Sequence, residues 1–262
     1  GNNSSIILTS ATLCQQGKTD EEKYSHQKLA IGFDGECSSP QESPFPYDEN
    51  SRLYIPEDIE PPNGSREKYI NEVIEKIIEL ATITKGRTMV LFTAKSDMHE
   101  VHRKLYGKVP WQVICQQDGS SQTTVIDEFK RTGGILLGCG IFWEGINIPG
   151  PALSSVIITR LPFPVPDAII EFKCQNATNK LMDVLIPEMI TKLRQGAGRL
   201  IRHETDTGIL SILDSRLSKK VNKRYRDITL ASLPIKAYVN SLDGVSAFVS
   251  GNVLPKIANQ GA

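Results

Sequence analysis

Between Arg194 and Gly208 the sequence reads RQGAGRLIRHETDTG, with Gln195, Arg199 and Arg202 spaced four and three residues apart. On a helix that spacing projects one amide and two guanidinium groups from a single stripe. Each guanidinium offers a planar fork of donors matched to phosphate oxygens, so the trio suits a polyphosphate. At a phosphoryl-transfer site such an arginine neutralises charge developing on the γ-phosphate. The competing reading is a solvated basic face paired with Glu204 and Asp206, because most surface charge is only hydrated. Gly196 and Gly198 flank the stripe, although glycine inside a helix costs about 1 kcal/mol relative to alanine. They call for another backbone or a ligand lying close to the helix, where a Cβ would collide.

The elements that must carry this stripe follow from periodicity. Ile186, Met189, Ile190, Leu193, Ala197, Leu200 and Ile201 share one apolar face. That pattern predicts a single helix from Ile186 to His203, with Pro187 in its first turn. Around it, TMVLFTA, WQVIC, GILLGCGIF, SSVIIT and TGILSIL are short apolar runs bounded by turn signals. Such runs fit the central strands of a parallel sheet covered on both faces. Helical patterns lie between them: Met98, Val101 and Leu105 after a cap at Ser96, and Val125, Ile126 and Phe129 before Gly133 and Gly134. Ser65 caps a longer helix whose apolar face runs from Ile70 to Ala81, ending near Gly86. The alternation implies an α/β, doubly wound, mainly parallel sheet flanked by helices. Residues 14–64 are rich in Pro, Ser and acids and read as an extended connection with one short strand near Leu53 to Ile55. After Arg216 the pattern is helical again.

Composition sets outer limits. The 262 residues are 39% hydrophobic and 23% charged, with zero formal net charge. That is an ordinary globular balance, and any nucleic-acid contact must be local rather than a product of basic excess. No apolar run approaches the roughly 18 residues of a membrane span. Five scattered cysteines with no C-x-x-C fit reduced thiols in a cytoplasmic protein. The opening GNNSSIILTSATL reads as a cut just before a strand, which suggests a piece of a longer chain.

QGAGRLIR matches the Q-x-x-G-R-x-x-R pattern of motif VI in superfamily 2 helicases. TSATL at Thr9 to Leu13 resembles motif III, and VLFTA at Val90 to Ala94 resembles motif IV. GCGIFWEGINIPG at Gly138 to Gly150 resembles motif V, followed by a strand and L-P-F turn in IITRLPFPVP. SPFPY at Ser43 to Tyr47 resembles a DinG-type connection. Together, in order, these resemble the DinG branch of the XPD-like DNA helicases over nearly the whole chain.

The resemblance implies a RecA-like, P-loop NTPase-type second motor domain over residues 65–262. Residues 1–13 would then end the first motor domain, with 14–64 connecting the two. ATP would sit between the domains, with the phosphate loop and Mg²⁺-binding acids on the first. No G-x-x-x-x-G-K-[ST] occurs here, so the chain alone is expected to be inactive. The family's iron–sulfur module, where present, also belongs to the first half, and none is expected here. By resemblance Arg199 and Arg202 are arginine fingers, and Gln195 orients phosphate or the attacking water. Glu144, Gly145, Asn147 and Gly198 face nucleotide. Thr93, Gly138, Gly140 and Trp143 face single-stranded DNA, with Thr93 on a phosphate. Trp143 either packs on the strand or fills the core. Ser10 and Thr12 couple hydrolysis to domain closure. Translocation would be 5′→3′, and a role in DNA repair follows.

Asn147 stands where the family has Asp, which keeps an acceptor but loses the charge and could weaken coupling. Ile141 replaces a frequent Ser. Two other functions stay open: a regulatory motor in a DinG-type exonuclease protein, and a non-enzymatic DNA-binding or docking module. HEVH at His99 to His102 is one residue too short for H-E-x-x-H and reads as exposed histidines. Asp214 and Arg216 read as a local salt bridge or cap, Cys139 as a small core hydrophobe, and SKKVNKRYR as a solvated face.

Overall fold

Five apolar runs become five strands because each can be buried on both sides. The computed structural model describes residues 7–9, 14, 17, 19–41, 43–116, 121–148, 150–221 and 224–258. Ser10 and Thr12 lie outside the described residues. The first part of the chain forms α1 (Asp20–Ile31), α2 (Tyr47–Asn50), β1 (Ser51–Tyr54) and α3 (Arg66–Ile83). There follow β2 (Thr88–Phe92), α4 (Lys95–Leu105), β3 (Val113–Cys115), α5 (Gln122–Thr132), β4 (Ile135–Cys139) and β5 (Ser155–Ile158). Then come α6 (Ala168–Gln175), α7 (Ile186–Ala197), β6 (Gly208–Ile212) and α8 (Arg226–Ser232). The chain closes with β7 (Tyr238–Val239), α9 (Leu242–Phe248) and α10 (Leu254–Ala258).

The strands make one all-parallel sheet in the order β3-β4-β2-β5-β6-β1-β7. Alternation along each strand divides the interior in two. Met89, Leu91, Leu136, Val156, Ile158, Leu210 and Ile212 face the cluster that takes in α5 and α7. Val90, Phe92, Ile135, Leu137, Ile157 and Ile209 face the opposite cluster, which takes in α3, α4 and α9. Helices therefore cover both faces, as the alternation of runs predicts.

Four expectations need correction. Ser96 does not cap α4 but lies inside it, the N-cap being Ala94. Residues 14–64 are not simply an extended connection. They contain α1 and α2, and β1 pairs in parallel with both β6 and β7, so the sheet begins at Ser51 rather than after residue 65. Helix α1 buries no residue, which is why no apolar stripe reveals it. Helix α7 stops at Ala197, not His203. The Gly198 N–H bonds the Arg194 carbonyl at 2.9 Å and closes it, and a π-helical turn over Lys180–Leu185 leads into it. Finally, the segment after Arg216 is not all helical, since β7 adds the sheet edge beside β1.

Candidate functional site

Motif-V-like residues leave β4 and run to β5, while the arginine segment runs from α7 to β6. The two meet at one backbone atom. Arg199 Nη1 and Arg202 Nη2 each donate to the Ile146 carbonyl at 2.7 Å. Gly145 makes this possible: its φ of 71° belongs to the left-handed region, where L side chains are disfavoured. The turn sends the Ile146 side chain into the core while its carbonyl faces the guanidiniums. Arg199 is further steadied by Nε donating to the Gln195 carbonyl at 3.0 Å.

Both guanidiniums are half-buried. Burial and then the neighbouring Arg202 charge pull the Arg199 pKa down to about 10, against a smaller opposing pull from Glu144. Burial likewise lowers that of Arg202, with Tyr47 and Asp206 opposing. No carboxylate of the described residues forms an ion pair with either group. The buried Arg202 Nε has no hydrogen-bond partner. Two cations thus share a neutral carbonyl, an arrangement that an anion with several oxygens would relieve.

The glycines have a different explanation from the one spacing suggests. A Cβ on Gly196 would lie 2.9 Å from the Trp143 ring and 3.2 Å from Leu91. The close neighbour is therefore a core side chain, not a ligand or a backbone. A Cβ on Gly198 would lie 3.2 Å from the Arg194 carbonyl, beside its own helix end. Gly138 is similar, since a Cβ there would meet Phe142 at 2.6 Å. Gly140 meets nothing nearby and has a φ of 60°.

Of the two places open to Trp143, the core is the one found. The residue is 1% exposed, and its Nε1–H donates to the Phe92 carbonyl at 2.9 Å. It offers no face to a strand outside, and Lys192 Nζ covers its ring at 5.7 Å. This contact pins the loop after β4 to the end of β2, next to half-buried Thr93. Glu144, Gly145 and Asn147 are exposed along the same loop. Thr93 and Gly140 sit at the carboxyl ends of adjacent strands, apart from the arginines, which precede the amino end of β6.

Sequence reasoning missed the importance of Asp206, which it took for a surface partner. The residue is 3% exposed, and its carboxylate accepts backbone N–H groups from Gly150, Arg202 and His203 at 3.0, 2.8 and 2.8 Å. The sequence carries no signal of this anchor, because Gly150 lies 56 residues away from Asp206. Asp214 and Arg216 do form the expected local pair, at 2.9 and 2.6 Å, and Asp214 also caps the following turn. His99 is exposed, and among the described residues no group of three or more His, Cys, Asp or Glu side chains could hold a metal. No helix of the described residues is long and apolar enough to cross a membrane.

Residues 77–234 match the helicase C-terminal domain family. The chain is 34% identical over 248 residues to the ATP-dependent DNA helicase YoaA of Haemophilus influenzae, covering 93% of this chain and 37% of that one. It is 31% identical to the 3′-5′ exonuclease DinG of Bacillus subtilis, over 94% of this chain and 27% of the relative. With the ATP-dependent DNA helicase DinG of Photobacterium profundum the identity is 36%, over 73% of this chain and 29% of the relative. The chain thus spans only 27% to 37% of the length of these relatives, and the DinG-like resemblance holds over most of its own length. Among solved structures, an XPD helicase superposes with a TM-score of 0.55 at 18% identity, over 73% of this chain and 35% of that one. Saccharomyces cerevisiae Dbp5 bound to RNA and ADP BeF3 gives 0.57 at 15% identity, over 87% and 52%. At those identities the likeness concerns the fold, which is RecA-like.

Proposed function

The chain belongs to the helicase C-terminal domain family, and on that premise we propose that it is the second motor domain of an ATP-dependent DNA helicase of the DinG type. The observation carrying this reading is the Arg199–Arg202 pair, two half-buried cations held on one neutral carbonyl. A nucleotide γ-phosphate supplies the missing negative charge. The guanidiniums would stabilise charge developing there, an effect of about 10³–10⁵ in rate for arginine fingers. Gln195, one turn before Arg199, orients phosphate or water. Glu144, Gly145, Asn147 and Gly198 border the same space.

ATP and Mg²⁺ would be held mainly by a first motor domain, the partner across the cleft. This chain's contribution is charge and orientation at the phosphate end. Thr93 and Gly140 belong to the single-stranded DNA track, with Thr93 on a phosphate, whereas Gly138 is buried inside β4 against Phe142 and supports the track without touching it. Trp143 supports that track from beneath rather than stacking on it. Ser10 and Thr12 would couple the two domains. Any iron–sulfur cluster would lie outside this chain.

A second reading has one specific support: the Bacillus subtilis relative is named a 3′-5′ exonuclease. There the motor domains would regulate a nuclease. The full-length protein, assayed for ATP hydrolysis with and without single-stranded DNA, for strand separation and for nucleotide release, separates the two. DNA-stimulated hydrolysis with strand separation supports the helicase. Release of 3′ nucleotides without ATP hydrolysis overturns it.

A further inference from the structure

The loop after β4, described over residues 140–148 and at Gly150, starts at the carboxyl end of β4, the end of the sheet where Thr93 lies, and leads past the arginines towards β5. It is fastened at three places. Trp143 bonds the Phe92 carbonyl, both arginines bond the Ile146 carbonyl, and Asp206 bonds the Gly150 N–H. The third fastening differs in kind. Asp206 Oδ1 accepts from Gly150 while Oδ2 accepts from Arg202 and His203, so one carboxylate joins the loop to the backbone that carries the arginine. Its bonds are charge-assisted and buried, roughly twice as strong as neutral ones.

We propose that Asp206 is a positioning residue that makes the 140–150 loop and the Arg199–Arg202 segment move as one body, passing nucleotide capture to the DNA-facing end of the sheet. The inference rests on the reading of the two arginines as nucleotide contacts. A guanidinium that turns to a phosphate gives up part of its hold on Ile146. The Asp206 clasp is made by backbone N–H groups and survives that turn. At the far end, the Trp143–Phe92 bond delivers the movement beside Thr93.

The test uses the full-length protein and Asp206→Asn. Asparagine has one acceptor oxygen and an NH₂ group that would face an N–H, so it must drop either Gly150 or the Arg202–His203 pair. The rate of ATP hydrolysis is measured with and without saturating single-stranded DNA, alongside Tm. The DNA-stimulated rate should fall at least tenfold more than the basal rate. An equal fall in both rates, or an unchanged stimulation ratio, overturns the proposal. As a second measurement on the wild type, ADP with beryllium fluoride should slow amide hydrogen exchange in residues 140–150 and 199–206 together. A response in one segment without the other also overturns it. Wild-type protein with no ATP hydrolysis overturns both this inference and the arginine reading. Hydrolysis that Arg199→Ala abolishes, with Asp206→Asn leaving stimulation intact, overturns this inference alone.

Discussion

The Trp143 ring lies where a Cβ on Gly196 would have to be, 2.9 Å from that position. Helix α7 can reach the sheet at this depth because residue 196 has no side chain. Gly196→Ala gains about 1 kcal/mol of helix propensity. It loses about 1–3 kcal/mol by overpacking a ring that is fully buried. The variant should be destabilised by about 1 kcal/mol in urea unfolding. In a Trp143→Leu background the same change should no longer destabilise, because the clash is gone. Additive effects would contradict the packing account.

Asp214 is fully buried and its pair with Arg216 is bidentate, with the guanidinium over Phe163 at 5.0 Å. The same carboxylate accepts the Leu161 N–H at 2.8 Å and so holds the turn that follows β5. Arg216→Ala strands that carboxylate. Breaking a buried pair costs about 3–5 kcal/mol, less where one partner is a quarter exposed, as Arg216 is. A loss of about 2–4 kcal/mol is expected, or roughly 5–15 °C in Tm. Arg216→Lys should recover only part, since an ammonium has no fork. A Tm within 2 °C of wild type, on the order of 1 kcal/mol or less, would contradict the assignment.

Glu188 ties three helices together, lying 3.7 Å from His26 of α1 and 2.6 Å from Lys173 of α6. His26 first, then Lys173, hold its carboxyl down at about 2, against the desolvation that would raise it. A depressed folded-state pKa adds stability above the unfolded value and loses it as pH falls through the folded one. Glu188→Gln should therefore cost stability at pH 6, by about 1 kcal/mol given partial solvent screening. The deficit should shrink between pH 4.5 and pH 2. A deficit independent of pH would rule out the ionic contribution.

How much of this was legible depended on whether the determining contact was local. Strands β2, β4, β5 and β6 could be read because burial on both faces forces a continuous apolar run, and β3 could be read as a strand although it lies at the sheet edge rather than at the centre. Ser65 could be read as a cap, and its Oγ does accept the Lys68 N–H. The end of α7 could not. Leu200 and Ile201 continue the helical spacing and are each 2% exposed, but they are buried by a turn after the helix has closed at Gly198. Periodicity reports burial and is blind to that difference. Strand β1 was legible as a strand but not as part of the sheet, since its partners lie in β6 and β7. The convergence of the arginines on Ile146 needs a contact across more than fifty residues, and so does Asp206 with Gly150. The motif resemblance named the arginines and the loop, but not the atom at which they meet.

The central claim is that Arg199 and Arg202 serve a nucleotide phosphate. The most direct measurement is steady-state ATP hydrolysis by the full-length protein with saturating single-stranded DNA, for wild type, Arg199→Ala and Arg202→Ala, with nucleotide affinity measured in parallel. The account predicts a loss of about a hundredfold or more in kcat for each variant with nucleotide binding retained, the signature of an interaction made chiefly in the transition state. Near-wild-type, DNA-independent rates in both variants would contradict it.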